Sequence, residues 1–296
     1  MGDREMRTKP DLSAATAFVW RTARLLDRFR FAHLFVGGER DPVLAALRVY
    51  HNPDGGFGNA LEPDFRGPVS QPVTVASALE ILDGVDAFDD PMVWRALDYL
   101  PTVTAPDGGL PFVLPSVRDY PRAPWWEPQG DDPPGSLFPT ATIAALLHEH
   151  RVDHPWLESA TEFCWRRIEA VGSTDPYEVR AVLPFLDHAP DRPRAEEAFS
   201  RVGPKVFEQG LVALDPGASG EVHTPLDFAP YPESLARGLF EDGVIELHLD
   251  ALASDQEEDG GWTFNWPEWN PATTLEWRGF VTVRALSILR AYGRLP

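Results

Sequence analysis

Two clusters of carboxylates and other polar side chains are the strongest candidates for chemistry. The first lies in residues 61–72 and holds Glu62, Asp64, Arg66 and Gln71. Glu62, Asp64 and Arg66 are two residues apart, so an extended backbone would point them to one side. The cluster predicts a catalytic acid or a polar anchor for substrate. The alternative is an ion-paired loop that caps the next helix.

The second cluster spans residues 221–230 and contains Glu221, His223 and Asp227 just ahead of a predicted helix. A carboxylate that orients an imidazole forms an acid–base unit, so His223 and Asp227 are candidate catalytic residues. Four residues apart in a loop, they need not touch, and a structural role at the helix start stays open.

Aromatic residues form a third group, near the C-terminus and in one long loop. Tryptophan faces stabilise cations, which suits a carbocation reaction, and they also stack on sugar rings. Part of the set is expected to pack helices together, and the rest to bind substrate beside Glu276 and Arg278. The aromatic residues are Trp125, Trp126, Trp262, Phe264, Trp266, Trp269 and Trp277.

Metal ligation is not predicted. His148, His150 and His154 lie close in sequence, but His148 and His150 point to different faces of a helix and lack a matching second pair. The single cysteine, Cys164, lies in a helical pattern typical of a buried thiol. No cofactor is expected.

The elements that must hold these residues are helices joined by glycine turns. Asp-Gly-Gly begins at Asp54, Asp107 and Asp259, giving intervals of 53 and 152 residues, the second close to three times the first. The glycines permit positive φ and the aspartate can bond the turn backbone, so these carboxylates are expected to be structural. Helices are predicted over 13–30, 41–51, 73–82, 91–100, 139–150, 156–170, 178–188, 193–208, 232–239, 242–253 and 274–292.

The segments 52–58 and 256–262 resemble the Gln-x-x-Asp-Gly-Gly-(Trp/Phe) repeats of a superfamily that includes protein prenyltransferase β subunits and class II terpenoid cyclases such as squalene–hopene cyclase. The resemblance implies an all-α fold, a single α/α toroid of about six helical hairpins in two concentric layers, as one domain over 1–296. It also implies a central apolar cavity, with the loop 62–71 meeting Asp227 and Trp277 at one mouth of the ring.

The activity motifs of that superfamily are absent from the sequence. The nearest string to Asp-x-Asp-Asp, at 86–90, has different spacing and precedes Pro91, which favours a helix cap. Three functions are therefore weighed. The first is a terpenoid cyclase-like or prenyl-handling enzyme that binds an apolar or isoprenoid small molecule. The alternatives are a non-catalytic toroid binding module and a carbohydrate-active α/α barrel with paired carboxylates.

The charge and composition limit the classes of partner that the protein is expected to bind. The net charge of −20 opposes general nucleic-acid binding, because so acidic a surface repels phosphate backbones. No stretch reads as a signal peptide or as an integral membrane segment, so a cytoplasmic protein is expected. Residues 1–10 are predicted to be disordered. The sequence does not give the oligomeric state.

Overall fold

A computed structural model describes residues 9–295 of the chain as an all-helical protein. Within that range no β-strand forms, and extended pairing is limited to the isolated bridges His51–Phe57 and Phe65–Arg122. The all-α prediction is confirmed. Residues 1–8, which carry most of the predicted disorder, lie outside the described residues.

The helices are short to medium in length, and both brief and long connections join them. They are α1 Leu12–Thr22, α2 Leu25–Phe35, α3 Asp41–Leu47, α4 Pro72–Gly84, α5 Pro91–Val103, α6 Leu137–Glu149, α7 Pro155–Glu169, α8 Pro176–His188, α9 Arg192–Val202, α10 Lys205–Glu208, α11 Pro225–Phe228, α12 Asp242–Ser254 and α13 Pro271–Ala291.

Four of the predicted helices have different boundaries or types. The stretch predicted over 41–51 is an α-helix only to Leu47 and continues as a 3₁₀ turn at Arg48–Tyr50. The stretch predicted over 13–30 is two helices, because the backbone has an extended conformation at Ala23 and Arg24. The stretch over 193–208 breaks at Pro204, which cannot continue a helix. The stretch over 232–239 is a 3₁₀ turn at Leu235–Leu239.

Side chains that precede two of the helices cap their first turns. The carboxylate of Asp90 accepts a hydrogen bond from the Met92 N–H at 2.9 Å, so this aspartate is the helix cap predicted from the sequence. The His154 imidazole Nδ1 accepts a hydrogen bond from the Trp156 N–H at 3.2 Å and begins α7 in the same way.

The chain forms two compact units. The central unit is Leu44–Lys205, and the terminal unit is the chain up to Val43 together with the chain from Val206 onward. In the central unit α6 packs against α4, α7 and α8, and ten of its thirteen residues are buried. In the terminal unit α13 packs against α1, α2 and α12. Helix α6 is apolar around most of its circumference, as expected of a helix surrounded by protein.

The three Asp-Gly-Gly turns share one geometry. In each, the aspartate carboxylate accepts a hydrogen bond from the N–H of the second glycine, as predicted. The pairs are Asp54 with Gly56 at 2.9 Å, Asp107 with Gly109 at 3.1 Å and Asp259 with Gly261 at 3.1 Å.

Each turn lies directly on a neighbouring helix. A Cβ on Gly55 would stand 2.3 Å from the Arg95 carbonyl oxygen of α5, and a Cβ on Gly260 would stand 2.2 Å from that of Ala14 in α1. Both glycines have positive φ, near +93° and +96°. The turns therefore require glycine for conformation and for close approach.

Candidate functional site

The loop that carries the first cluster is a turn and not an extended strand. The Phe65 N–H donates to the Glu62 carbonyl at 3.2 Å, which closes a turn over these four residues. The three charged side chains consequently differ in environment: Asp64 is 3% exposed, Glu62 is half-buried and Arg66 is exposed. Of this cluster, Asp64 is the carboxylate that the fold buries.

A second, distant segment covers Asp64. The Ala123 N–H donates to the Asp64 carbonyl at 2.8 Å, and the Arg66 N–H donates to the Pro121 carbonyl at 2.9 Å. These two bonds flank the isolated bridge between Phe65 and Arg122. The long loop between α5 and α6 is thereby fixed against the loop that follows the first glycine turn.

The Asp64 carboxylate lies among aromatic side chains. The Trp125 indole Nε1–H donates to Asp64 Oδ2 at 3.1 Å, and the Trp125 side chain is 40% exposed. Trp126 is fully buried and stacks on Phe65, with ring centroids 5.2 Å apart and an interplanar angle of 13°. The arrangement is a buried acid that is hydrogen-bonded to a partly exposed tryptophan, with a stacked aromatic pair on the neighbouring residues of both segments.

Gln71 is fully buried and holds the same long loop in place. Its side-chain Oε1 accepts a hydrogen bond from the Leu114 N–H at 2.7 Å, and its Nε2 donates to the Ser116 hydroxyl at 3.0 Å. Because the oxygen and the nitrogen of the Gln71 side-chain amide both form hydrogen bonds with this loop, Gln71 orients the segment that carries Trp125.

Asp227, in the terminal unit, has a different environment from Asp64. Its Oδ2 accepts hydrogen bonds from the Thr224 N–H at 2.7 Å and hydroxyl at 3.1 Å, which forms a capping box at the start of α11. Its Oδ1 accepts a hydrogen bond from Arg284 Nη2 at 2.7 Å. These three hydrogen bonds hold the carboxylate in a fixed position. The neighbouring His223 ring packs edge-on to Phe228 at 6.3 Å.

Most of the C-terminal aromatic residues pack on one another. Trp266 lies edge-to-face with Trp277 at 5.0 Å, and Trp277 lies edge-to-face with Phe280 at 5.7 Å. Trp266, Trp269 and Glu276 are half-buried.

Trp262 and Arg278 belong to the glycine turn at Asp259. The buried Trp262 indole donates to the Leu252 carbonyl at 2.7 Å. The Arg278 guanidinium bonds both carboxylate oxygens of Asp259, at 2.7 and 2.8 Å, and lies over the Phe18 ring. The hydrogen bonds from Arg278 are the largest influence that holds the pKa of Asp259 below its ordinary value. These contacts give both residues a structural role.

Sequence reasoning missed a buried carboxylate in α2. Asp27 is 0% exposed and accepts hydrogen bonds from Arg24 Nε at 2.9 Å and from Arg30 Nη1 at 3.2 Å. The three residues follow one another at a spacing of three, which places them on one side of a helix. That spacing was a signal available in the sequence.

One surface cavity of about 320 Å³ lies beside the end of α7, in the central unit. Arg167, Gly172 and Glu178 line it with apolar neighbours, and none of the sequence-predicted site residues is part of its lining. Burial, followed by the nearby Asp175 carboxylate, raises the pKa of Glu178. Among residues 9–295, no helix combines the length and apolarity needed to cross a membrane.

Comparison with known proteins identifies the fold. A variant of the type II terpene cyclase MstE from Scytonema, solved with its substrate geranylgeranyl dihydroxybenzoate, is 17% identical with a TM-score of 0.56, covering 96% of this chain and 97% of that chain. Another variant, with the product merosterolic acid A, is 18% identical with a TM-score of 0.53, covering 96% and 87%. A protein from Actinoplanes is 16% identical with a TM-score of 0.58, covering 95% and 89%.

Neither a scan for known protein families nor a comparison with curated protein sequences finds a match. At these identities the structural likeness shows the fold alone. The chain has the α/α-toroid fold of terpene cyclases, which confirms the predicted fold class.

Proposed function

We propose that this protein is a terpenoid cyclase-like enzyme that protonates an isoprenoid substrate, with Asp64 as the acid. The observation that carries the proposal is the burial of Asp64 beside aromatic rings, with its Oδ2 accepting the Trp125 indole N–H. Support also comes from the fold, which MstE shares while binding a geranylgeranyl compound.

Protonation of an alkene requires a neutral carboxylic acid in an apolar site. Burial disfavours the ionised form of a carboxyl group because that form loses its hydration, whereas the Trp125 hydrogen bond favours it; the proposal requires burial to be the larger effect. The Trp125 N–H, which donates to Asp64 Oδ2, fixes the orientation of the carboxyl group. A protonated acid near neutral pH is what alkene protonation requires.

The proposed reaction balances without a cofactor. The acid proton of Asp64 adds to a terminal alkene carbon and leaves a carbocation on its neighbour. A second alkene of the chain attacks that cation and forms a carbon–carbon bond. A water molecule then takes a proton from a carbon next to the final cation, which forms an alkene, and Asp64 regains a proton from solvent. The product is an isomer of the substrate. The face of Trp125, which is 40% exposed, would stabilise the cationic stage.

The other predicted site residues take supporting roles in the proposal. Asp227 already accepts hydrogen bonds from Arg284 and Thr224, so it suits recognition of a polar group better than proton donation. The Trp266–Trp277 pair is proposed as an apolar contact for a prenyl chain. Glu62 and Arg66, which are half-buried and exposed, are proposed as polar contacts for substrate in the loop that carries Asp64.

The test is an activity screen with isoprenoids of increasing length and with geranylgeranyl dihydroxybenzoate. Cyclisation gives a product of unchanged mass and altered chromatographic retention. We expect such a product from the native protein and none from Asp64→Asn. Tight binding of these compounds without any conversion would instead support the non-catalytic binding module.

A further inference from the structure

Three ligand-type side chains meet where α4 and α6 end. The His150 imidazole Nε2 donates to Asp83 Oδ1 at 2.7 Å. The ligand atoms of Asp83, Glu149 and His150 all lie within 4.8 Å of one another. Asp83 and His150 are 67 residues apart in sequence, so the fold brings them together.

The His150 ring is held in a fixed orientation. It stacks on Phe88 with ring centroids 4.0 Å apart and an interplanar angle of 8°. Its backbone N–H donates to the Leu146 carbonyl and caps the end of α6. A ring positioned in this way presents Nε2 to the carboxylates at little further cost in side-chain entropy.

The surroundings favour a cation. Asp83 lies in the last turn of α4, Glu149 is the last residue of α6, and His188 is the last residue of α8. His188 Nε2 lies 3.5 Å from Glu149 Oε2, which brings the end of α8 to the same place. The C-terminal end of a helix carries partial negative charge, so three helix ends and two carboxylates attract positive charge here.

We propose that Asp83, Glu149 and His150 form a binding site for a divalent transition metal ion of the zinc class. One imidazole nitrogen with two carboxylates suits this class, with bond lengths of about 2.0–2.2 Å and a water molecule completing a tetrahedral set. The metal takes the place of the proton that His150 Nε2 shares with Asp83. The exposed Glu149 side chain moves inward, and His188 orients it.

Such an ion would join the ends of α4 and α6. Both helices belong to the most buried part of the central unit, and α6 contacts α4 along its length. The site is separate from Asp64 and Trp125 in sequence and shares no residue with them. The proposal therefore does not depend on the proposed enzymatic function.

Zinc titration of protein freed of any affinity tag tests the proposal. We expect one zinc ion per chain by calorimetry, and a melting temperature that rises with zinc concentration, because the ion binds the folded state. His150→Gln and Glu149→Gln should each weaken binding by about tenfold or more and remove the zinc-dependent rise. Glu149 is exposed, so its variant is expected to fold even if the His150 variant does not.

His33→Gln is the matched control. His33 is also partly buried and bonds a backbone carbonyl, Gly38 O at 3.0 Å, but lies in the terminal unit. It should bind zinc as the native protein does. Absence of saturable zinc binding to the native protein would overturn the proposal. The proposal would also be overturned if the His150 and Glu149 variants both bound zinc as tightly as the native protein. The same holds if the His33 control lost as much zinc affinity as those variants.

Discussion

The Trp125 indole nitrogen donates a hydrogen bond to the buried carboxylate of Asp64 at 3.1 Å, across 61 residues of sequence. Trp125 is 40% exposed, whereas Asp64 is 3% exposed. The tryptophan thus links an acid inside the protein to a surface that solvent and small molecules reach. The proposed chemistry depends on this pair more than on any other contact.

Trp125→Phe should slow the proposed cyclisation while leaving the fold intact. The variant keeps an aromatic face but loses the N–H that orients Asp64, and hydrogen bonds to carboxylates contribute about 1.5–3 kcal/mol. We expect the rate to fall by about 10- to 100-fold, measured by product formation. Trp94→Phe, at a tryptophan 48% exposed in α5, is the control and should retain the native rate.

Gly260→Ala should destabilise the protein more than Gly220→Ala. Both glycines have positive φ, near +96° and +91°, so both substitutions incur backbone strain of about 1–3 kcal/mol. A Cβ on Gly260 also meets the Ala14 carbonyl, whereas a Cβ on Gly220 meets no atom within 4 Å. Overpacking adds about 1–3 kcal/mol for Gly260 alone. Equal losses in chemical denaturation would mean that the close approach to α1 is unimportant.

The pairing of Asp259 with Arg278 should make stability depend on acid pH. The folded protein holds the pKa of Asp259 below its ordinary value of 3.8, chiefly through hydrogen bonds from Arg278. Between the pKa of Asp259 in the folded protein and 3.8, the unfolded chain binds more protons than the folded chain. The stabilisation from this pair is therefore fully present above pH 3.8 and is lost as the pH falls through the pKa of Asp259 in the folded protein.

Urea unfolding at a series of pH values measures this effect in native protein and in Asp259→Asn. The stability difference between the two should be large near pH 6 and shrink towards pH 3. A difference that stays constant across this range would show that the ion pair does not contribute.

Asp27→Ala should be strongly destabilising. The Asp27 carboxylate is fully buried between Arg24 and Arg30, whose side chains are 11% and 13% exposed. Its removal leaves two largely buried cations without that partner, and the loss of one member of a buried pair costs about 3–5 kcal/mol. Asp131→Ala removes a carboxylate that is 88% exposed beside Arg118, and should change stability by at most about 1 kcal/mol.

Features set by neighbouring residues were predictable from the sequence. The Asp90 cap before Pro91 and the hydrogen bond within each Asp-Gly-Gly turn depend on residues two or three positions apart, and both form as expected. The Arg24–Asp27–Arg30 spacing was equally local and could have been recognised.

Contacts between distant segments could not be predicted from the spacing of neighbouring residues. The burial of Asp64 depends on the bonds between its loop and residues 121–123, and the pairing of Asp83 with His150 depends on the packing of α4 with α6. Spacing along the sequence predicted neither, since each is set by how helices and loops pack. The histidines His148 and His154 shared sequence proximity with His150 but bond elsewhere, to Thr161 and at the start of α7.

The most direct test of the central claim is product formation by Asp64→Asn compared with Asp227→Asn, both with the isoprenoid that the native protein converts. Asparagine keeps the shape of Asp64 and can still accept from Trp125, but it has no acid proton to give. We predict no detectable cyclised product from Asp64→Asn, with unchanged far-ultraviolet circular dichroism, and continued turnover by Asp227→Asn. Native turnover by Asp64→Asn would contradict the assignment of Asp64 as the acid.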